Sequence, residues 1–143
     1  MKLSKRSEYG IRALIYLASR PTGEGLVPIR EVANVEQIPI KFLEQILLSL
    51  KNAGLVNSRM GSDGGYYLSK PADQIMLGQV IRILDGPLAP IRCVSQTAYE
   101  RCPSCPDETT CGLRMVMLDV RNAISDILDH TSLQDVARRV AGQ

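Results

Sequence analysis

Residues 28–70 read PIREVANVEQIPIKFLEQILLSLKNAGLVNSRMGSDGGYYLSK, and this stretch decides the fold. Pro28 to Val35 is expected to form a short helix, with a turn through Glu36, Gln37 and Ile38. Pro39 suits the first position of a second helix, where its missing N–H costs nothing. That helix runs to about Ala53, and Gly54 is a natural C-cap. Phe42, Leu43, Ile46, Leu47 and Leu50 recur at helical spacing, while Lys41, Glu44, Gln45, Ser49 and Lys51 mark the opposite face. Two short strands, 55–60 and 66–70, then flank the glycine-rich turn at 61–65, which is a hairpin. A helix pair followed by a hairpin is the plan of a winged helix-turn-helix.

Upstream, Ser7 to Ser19 is expected to be a helix, with Ser7 as its N-cap. Its apolar residues surround much of the axis, so it should lie buried between layers or subunits. A loop is expected at 21–25. Downstream, Leu77 to Leu84 is helical and stops at Asp85-Gly86-Pro87. Leu113 to Leu128 carries one apolar stripe of Leu113, Val116, Met117, Val120, Ala123, Ile124, Ile127 and Leu128. Such a stripe suits packing on a partner helix or on its own domain. Thr131 to Val140 is expected to form a short closing helix. The predicted fold is mainly α with a small β-hairpin wing and a long C-terminal dimerisation helix. Its parts are a DNA-binding unit at 1–86, a cysteine-rich loop at 87–112, and the long helix with its tail at 113–143.

Apolar residues make up 45% of the chain, enough for a real core, and the scarcity of aromatics leaves Leu, Ile and Val to fill it. Charge is divided unevenly. Residues 1–82 hold eleven Lys and Arg against seven Asp and Glu, a net of +4, whereas residues 83–143 hold six against eight, a net of −2. A basic front half suits an anionic partner such as double-stranded DNA. Lys41, Glu44 and Gln45 stand near the start of the second helix, where donors and acceptors can meet base edges in the major groove. Arg59, in the hairpin, is placed to reach phosphates or the minor groove. No exported or membrane-spanning segment is visible, which implies a cytoplasmic protein.

All four cysteines lie between 93 and 111, in the pattern Cys93-x8-Cys102-x2-Cys105-x5-Cys111. The surrounding segment, 87–111, lacks periodicity and holds Pro87, Pro90, Pro103 and Pro106, so it is either built around something or disordered. Clustered thiols in a reducing compartment favour metal or redox chemistry over structural disulfides. Thiolates suit an iron–sulfur cluster. Four-cysteine zinc usually shows two tight pairs and only Cys102-x2-Cys105 is present here, so zinc fits less well. A reversible thiol switch also remains open. An enzyme is not expected, because a Cys102/Cys105 dithiol oxidoreductase would need a βαβ context that the chain lacks.

Several motifs together resemble the IscR/NsrR/RirA-type winged-helix regulators. They are Met1-Lys2-Leu3-Ser4 with Tyr9-Gly10-Ile11-Arg12-Ala13-Leu14, then Phe42-Leu43-Glu44-Gln45-Ile46-Leu47, then Gly61-Ser62-Asp63-Gly64-Gly65-Tyr66-Tyr67-Leu68, and Ile83-Leu84-Asp85-Gly86. The resemblance covers nearly the whole chain. It implies a homodimeric transcription regulator, a repressor or an activator, that senses iron–sulfur cluster status, redox state or nitric oxide and binds a pseudo-palindromic operator. It also implies a 2Fe–2S or 4Fe–4S cluster held by Cys93, Cys105 and Cys111, with Cys102 or Glu8 of the other subunit completing it. The Cys93–Cys105 interval is longer than the family's usual spacing, and Cys102 is extra. Arg114 stands where some members use a histidine ligand. The alternative is a cluster-free thiol-switch or effector-binding regulator.

Overall fold

The computed structural model describes residues 2–20 and 25–142; all but Gly25 of the loop expected at 21–25 lies outside them. The elements in chain order are α1 (Lys5–Ala18), α2 (Ile29–Glu36), α3 (Ile40–Asn52), β1 (Val56–Arg59), β2 (Gly65–Leu68), α4 (Leu77–Asp85), α5 (Gly112–Leu128) and α6 (Leu133–Ala141). The mainly helical fold with one hairpin agrees with the sequence reading. The boundary of α1 does not. Ser4, in extended conformation, is its N-cap and accepts the Ser7 N–H at 3.1 Å, so Ser7 lies fully buried inside the helix. Ser4 also donates its N–H to Asp85 at 3.1 Å, tying the start of α1 to the end of α4.

Leu14, Leu43, Ile46, Leu47, Leu50, Leu55, Ile75, Val80 and Leu133 form a single buried cluster. The face that the three- and four-residue spacing of α3 predicts is buried at Leu43, Ile46, Leu47 and Leu50, and α1 buries Ser7, Gly10, Ala13, Leu14 and Leu17. α1 packs against α2, α3, α4, α6 and β2. It meets α4 so closely at Gly10 that a Cβ there would lie 2.4 Å from Leu84 Cδ1.

Between α2 and α3 the chain turns at Gln37, whose φ of 55° is left-handed. Its side-chain amide donates to the Asn34 carbonyl at 2.7 Å, which offsets part of the cost of that conformation. Pro39 stands at the N-cap of α3, one position earlier than expected, and Ala53 rather than Gly54 is its C-cap. β1 and β2 pair antiparallel with Val56 opposite Leu68 and Arg59 opposite Gly65. Val27 bridges Tyr66 and adds a third edge to the wing.

The far half is held by two junctions. Gly86 has φ 91° and ψ −155°, a conformation that side chains strongly disfavour, and there the chain leaves α4 for the cysteine loop. At the other end of α5, Arg82 of α4 makes a two-pronged ion pair with Asp129 at 2.6 and 2.9 Å. Gly78 makes room for it, since a Cβ at that position would fall 2.0 Å from the Asp129 carboxylate. Met76 bridges Ser132, and α6 then folds back onto α1 with Leu133 in the core. The tail thus forms the closing helix expected, and it closes the winged-helix body.

The Arg82 guanidinium holds the Asp129 carboxyl below the usual carboxylate range. A carboxyl with a lowered folded-state pKa contributes stability above its unfolded pKa and loses it as pH falls through the folded value. Asp129→Asn should therefore cost about 1 kcal/mol at neutral pH, an estimate suited to a partly exposed pair. The gap to wild type should close below about pH 4. Urea denaturation of both proteins across pH measures this, and a gap that persists undiminished in acid would contradict it.

Candidate functional site

Two groups of side chains stand out, one on the winged-helix face and one in the loop before α5. On the first, the core-facing side of α3 is complete, and Lys41, Glu44 and Gln45 all point to solvent. Lys41 and Glu44 lie 4.0 Å apart as an exposed pair. No side chain caps α3, so its first N–H groups are open to an anion. Ser49, expected on the same exposed face, instead is half-buried and accepts a hydrogen bond from Arg6.

Arg59 is exposed at the end of β1. It borders a groove of about 530 Å³ that also touches Arg30 and the Met60–Gly61 turn. Arg30, in the first turn of α2, was missed in the sequence. Its only signal there was a lone basic residue next to a helix start. Among the described residues, neither Arg30 nor Arg59 has a salt-bridge partner. Two guanidinium groups without a salt-bridge partner thus flank one groove at the start of α2, which no side chain caps. This is the chemistry that positions a phosphate backbone.

The second group is the loop. It is ordered by polar contacts and two single turns of 3-10 helix, Arg92–Val94 and Glu108–Thr110. Cys93 is buried in the first turn, Cys102 is exposed, and Cys105 and Cys111 are half-buried. Arg114 and Arg121 of α5 donate to the Cys93 and Val94 carbonyls at 3.5 and 2.8 Å and fasten the first turn to the helix. Arg114 also lies 4.0 Å from Glu108. Cys111 is the N-cap residue of α5.

Cys93 and Cys102 border one apolar hollow of about 260 Å³ with Ile91, Pro103 and Leu113. The Cys102 thiol is 3.3 Å from the Ser104 hydroxyl, and hydrogen bonds from Ser104 hold it below the ordinary cysteine range. Cys105 is tied to Cys102 through its N–H to the Cys102 carbonyl at 3.1 Å. Among the described residues, no three of His, Cys, Asp and Glu converge as a metal site. His130 lies beyond the loop, with Nδ1 2.8 Å from the Asp126 carbonyl of its own helix turn.

Glu8 is not beside these thiols. It pairs with Lys5 at 3.0 Å and borders a separate hollow with Lys2, Leu3, Asp85 and Pro87. That hollow adjoins the point where the cysteine loop leaves α4. Along α5 itself no residue is buried, and the predicted stripe faces outward, with Leu113 62% and Ile127 65% exposed. No helix among the described residues is long and apolar enough to cross a membrane.

Comparison with known proteins agrees with the winged-helix architecture. A putative HTH-type transcriptional regulator, rrf2-like, of Rhodobacter capsulatus is 35% identical over 136 residues, covering 94% of this chain and 91% of the relative. CymR of Bacillus subtilis, described as its global cysteine regulator, is 32% identical; its structure superposes with a TM-score of 0.81 over 97% of this chain and 98% of that one. The structure of T. potens IscR is 28% identical with a TM-score of 0.76, covering 98% and 88%. The family model named Rrf2, described as an iron-dependent transcriptional regulator, matches residues 3–139. The chain belongs to the Rrf2 family of DNA-binding transcriptional regulators and is not an enzyme.

Proposed function

We propose that the chain is a homodimeric repressor in which the state of the 87–111 loop sets the position of the two reading helices. The observation that carries this is the pair of attachments of α5. Arg114 and Arg121 fasten the thiol-bearing loop to the helix, and Arg82–Asp129 clamps its other end to α4. α4 in turn packs on α1 and α3. A change in the loop therefore has an unbroken chain of packed elements leading to α3. A second copy of the chain covers the outward stripe of α5. Two-fold pairing of that kind yields a pseudo-palindromic operator with half-sites spaced by whole helical turns.

On DNA, Gln45 pairs with adenine, Glu44 accepts from cytosine N4, Lys41 meets guanine or phosphate, and Arg59 enters from the wing. Gln45→Ala should relax base preference at one position per half-site by ~1–3 kcal/mol. Arg59→Ala should weaken all sequences alike and lower the salt slope by about one. Binding titrations against a mismatch set at several salt concentrations distinguish the two roles. A uniform loss for Gln45→Ala would remove it from base readout.

Four thiols within one loop have the donor chemistry of an iron–sulfur ligand set, and the family's description as iron-dependent and the likeness to IscR support that reading. Cys93, Cys105 and Cys111 are the proposed ligands, with Cys102 or Glu8 of the partner subunit completing the set. The arrangement described above does not fit a cluster as it stands, because the thiols do not converge. Binding one requires the loop to close. A second reading is a cluster-free thiol switch. It is favoured by the hollow that Cys93 and Cys102 share, by the acidified Cys102 thiol, and by similarity to the cysteine regulator CymR.

Anaerobic purification separates the two. The cluster reading expects brown protein with iron and sulfide that bleaches on Cys93→Ala, Cys105→Ala or Cys111→Ala. Colourless, iron-free protein after anaerobic reconstitution, with DNA binding that responds to oxidation and is blocked by Cys102→Ser, would replace it with the thiol switch.

A further inference from the structure

The solvent face of α3 contains one residue that neither the core nor the polar reading set accounts for. Leu48 is 56% exposed and belongs to no buried cluster. It follows Lys41, Glu44 and Gln45 by seven, four and three residues, so all four side chains share one strip of the helix. Exposed Lys51 and Asn52 continue the strip on either side of it. Lys51 is held toward the wing by its 2.7 Å hydrogen bond to Ser58. An isolated exposed leucine is ordinary on a protein surface. One centred among the groups that face the major groove is in the path of the DNA.

The floor of the major groove offers donors, acceptors and a single apolar group, the C5-methyl of thymine. A leucine can form no hydrogen bond, so against a cytosine, adenine or guanine edge it desolvates polar atoms without replacing their bonds. Against a thymine methyl it buries apolar surface on both sides. We propose that Leu48 is a specificity-determining residue that selects thymine at one position of each half-site by contact with its C5-methyl. This rests on the reading of α3 as the helix in the groove, and it adds a shape-and-solvation element to the hydrogen-bond readout by Glu44 and Gln45.

Replacing thymine with 2′-deoxyuridine removes that methyl and leaves every hydrogen-bonding group in place. The probe is a duplex selected from a random pool by the full-length dimer, with each thymine replaced in turn by deoxyuridine. Wild type should lose about fourfold in affinity at one symmetry-related thymine per half-site, the value expected for one buried methyl-sized group. Leu48→Ser should bind the two duplexes equally, and 5-methylcytosine should be tolerated at that position better than cytosine by wild type only.

The proposal is overturned if deoxyuridine is tolerated everywhere, or if wild type and Leu48→Ser lose equally. The deoxyuridine arm on wild-type protein does not depend on how any variant folds. Lys41→Ala and Gln45→Ala on the same duplex separate the failures. If they weaken binding while deoxyuridine has no effect, Leu48 alone is wrong. If they also have no effect, α3 is not the helix in the groove.

Discussion

The burial of α1 is the constraint on which the other elements depend. This helix is contacted by α2, α3, α4, α6 and β2, and its Ala13 and Leu14 have no exposed surface. Each buried leucine of this kind contributes about 1.5–3 kcal/mol relative to exposure. The close meeting with α4 at Gly10 leaves no room for slack between the two helices. Because α3 and α4 are both seated on α1, the reading face and the root of the cysteine loop are fixed by a single core.

That shared core gives the molecule its division of labour. The groups on the α3 strip and the wing are exposed, and their side chains are tied only by surface contacts such as Lys41–Glu44 and Lys51–Ser58. The loop is held by a different economy of forces. It has little apolar burial beyond Leu88, Cys93 and Val94, and it relies on arginines from α5 and on local turns. Segments stabilised mainly by exposed polar contacts open at low free-energy cost. The loop is therefore the part of the chain expected to open most readily, while the core beneath it is held by apolar burial.

α5 is the element whose role is least explained by a single chain. It has no buried residue, meets the Arg92–Val94 turn along its first half and α4 through Asp129 at its end, and presents apolar side chains outward. In water such a helix loses most of the stabilisation that an amphipathic face normally gives. The clamp at Asp129 and the arginine contacts to the loop orient it, and the outward stripe is the surface that the proposed function assigns to a second copy.

The local pattern alone determined the helices and the hairpin, and the resemblance of several motifs gave the winged-helix regulator family. The helical period, Pro39, the glycine turn at 61–65 and the spacing of Phe42 through Leu50 are all read over short distances along the chain. The shift of the α1 cap from Ser7 to Ser4 was not legible, because Ser4 is selected partly by Asp85, 81 residues away. The same holds for Ser49, which is drawn inward by Arg6, and for Arg82, Asp129 and Gly78, which carry no mutual signal in sequence. The four thiols were conspicuous as a set, but their separation was decided by a tertiary contact at Cys93 and a local turn at Cys102. Cys93 is buried by the turn held against α5, and Cys102 is left outside by the turn that Ser104 and Cys105 close. Spacing along the chain bounds how near such groups can come. Only the packing of distant segments sets how near they are.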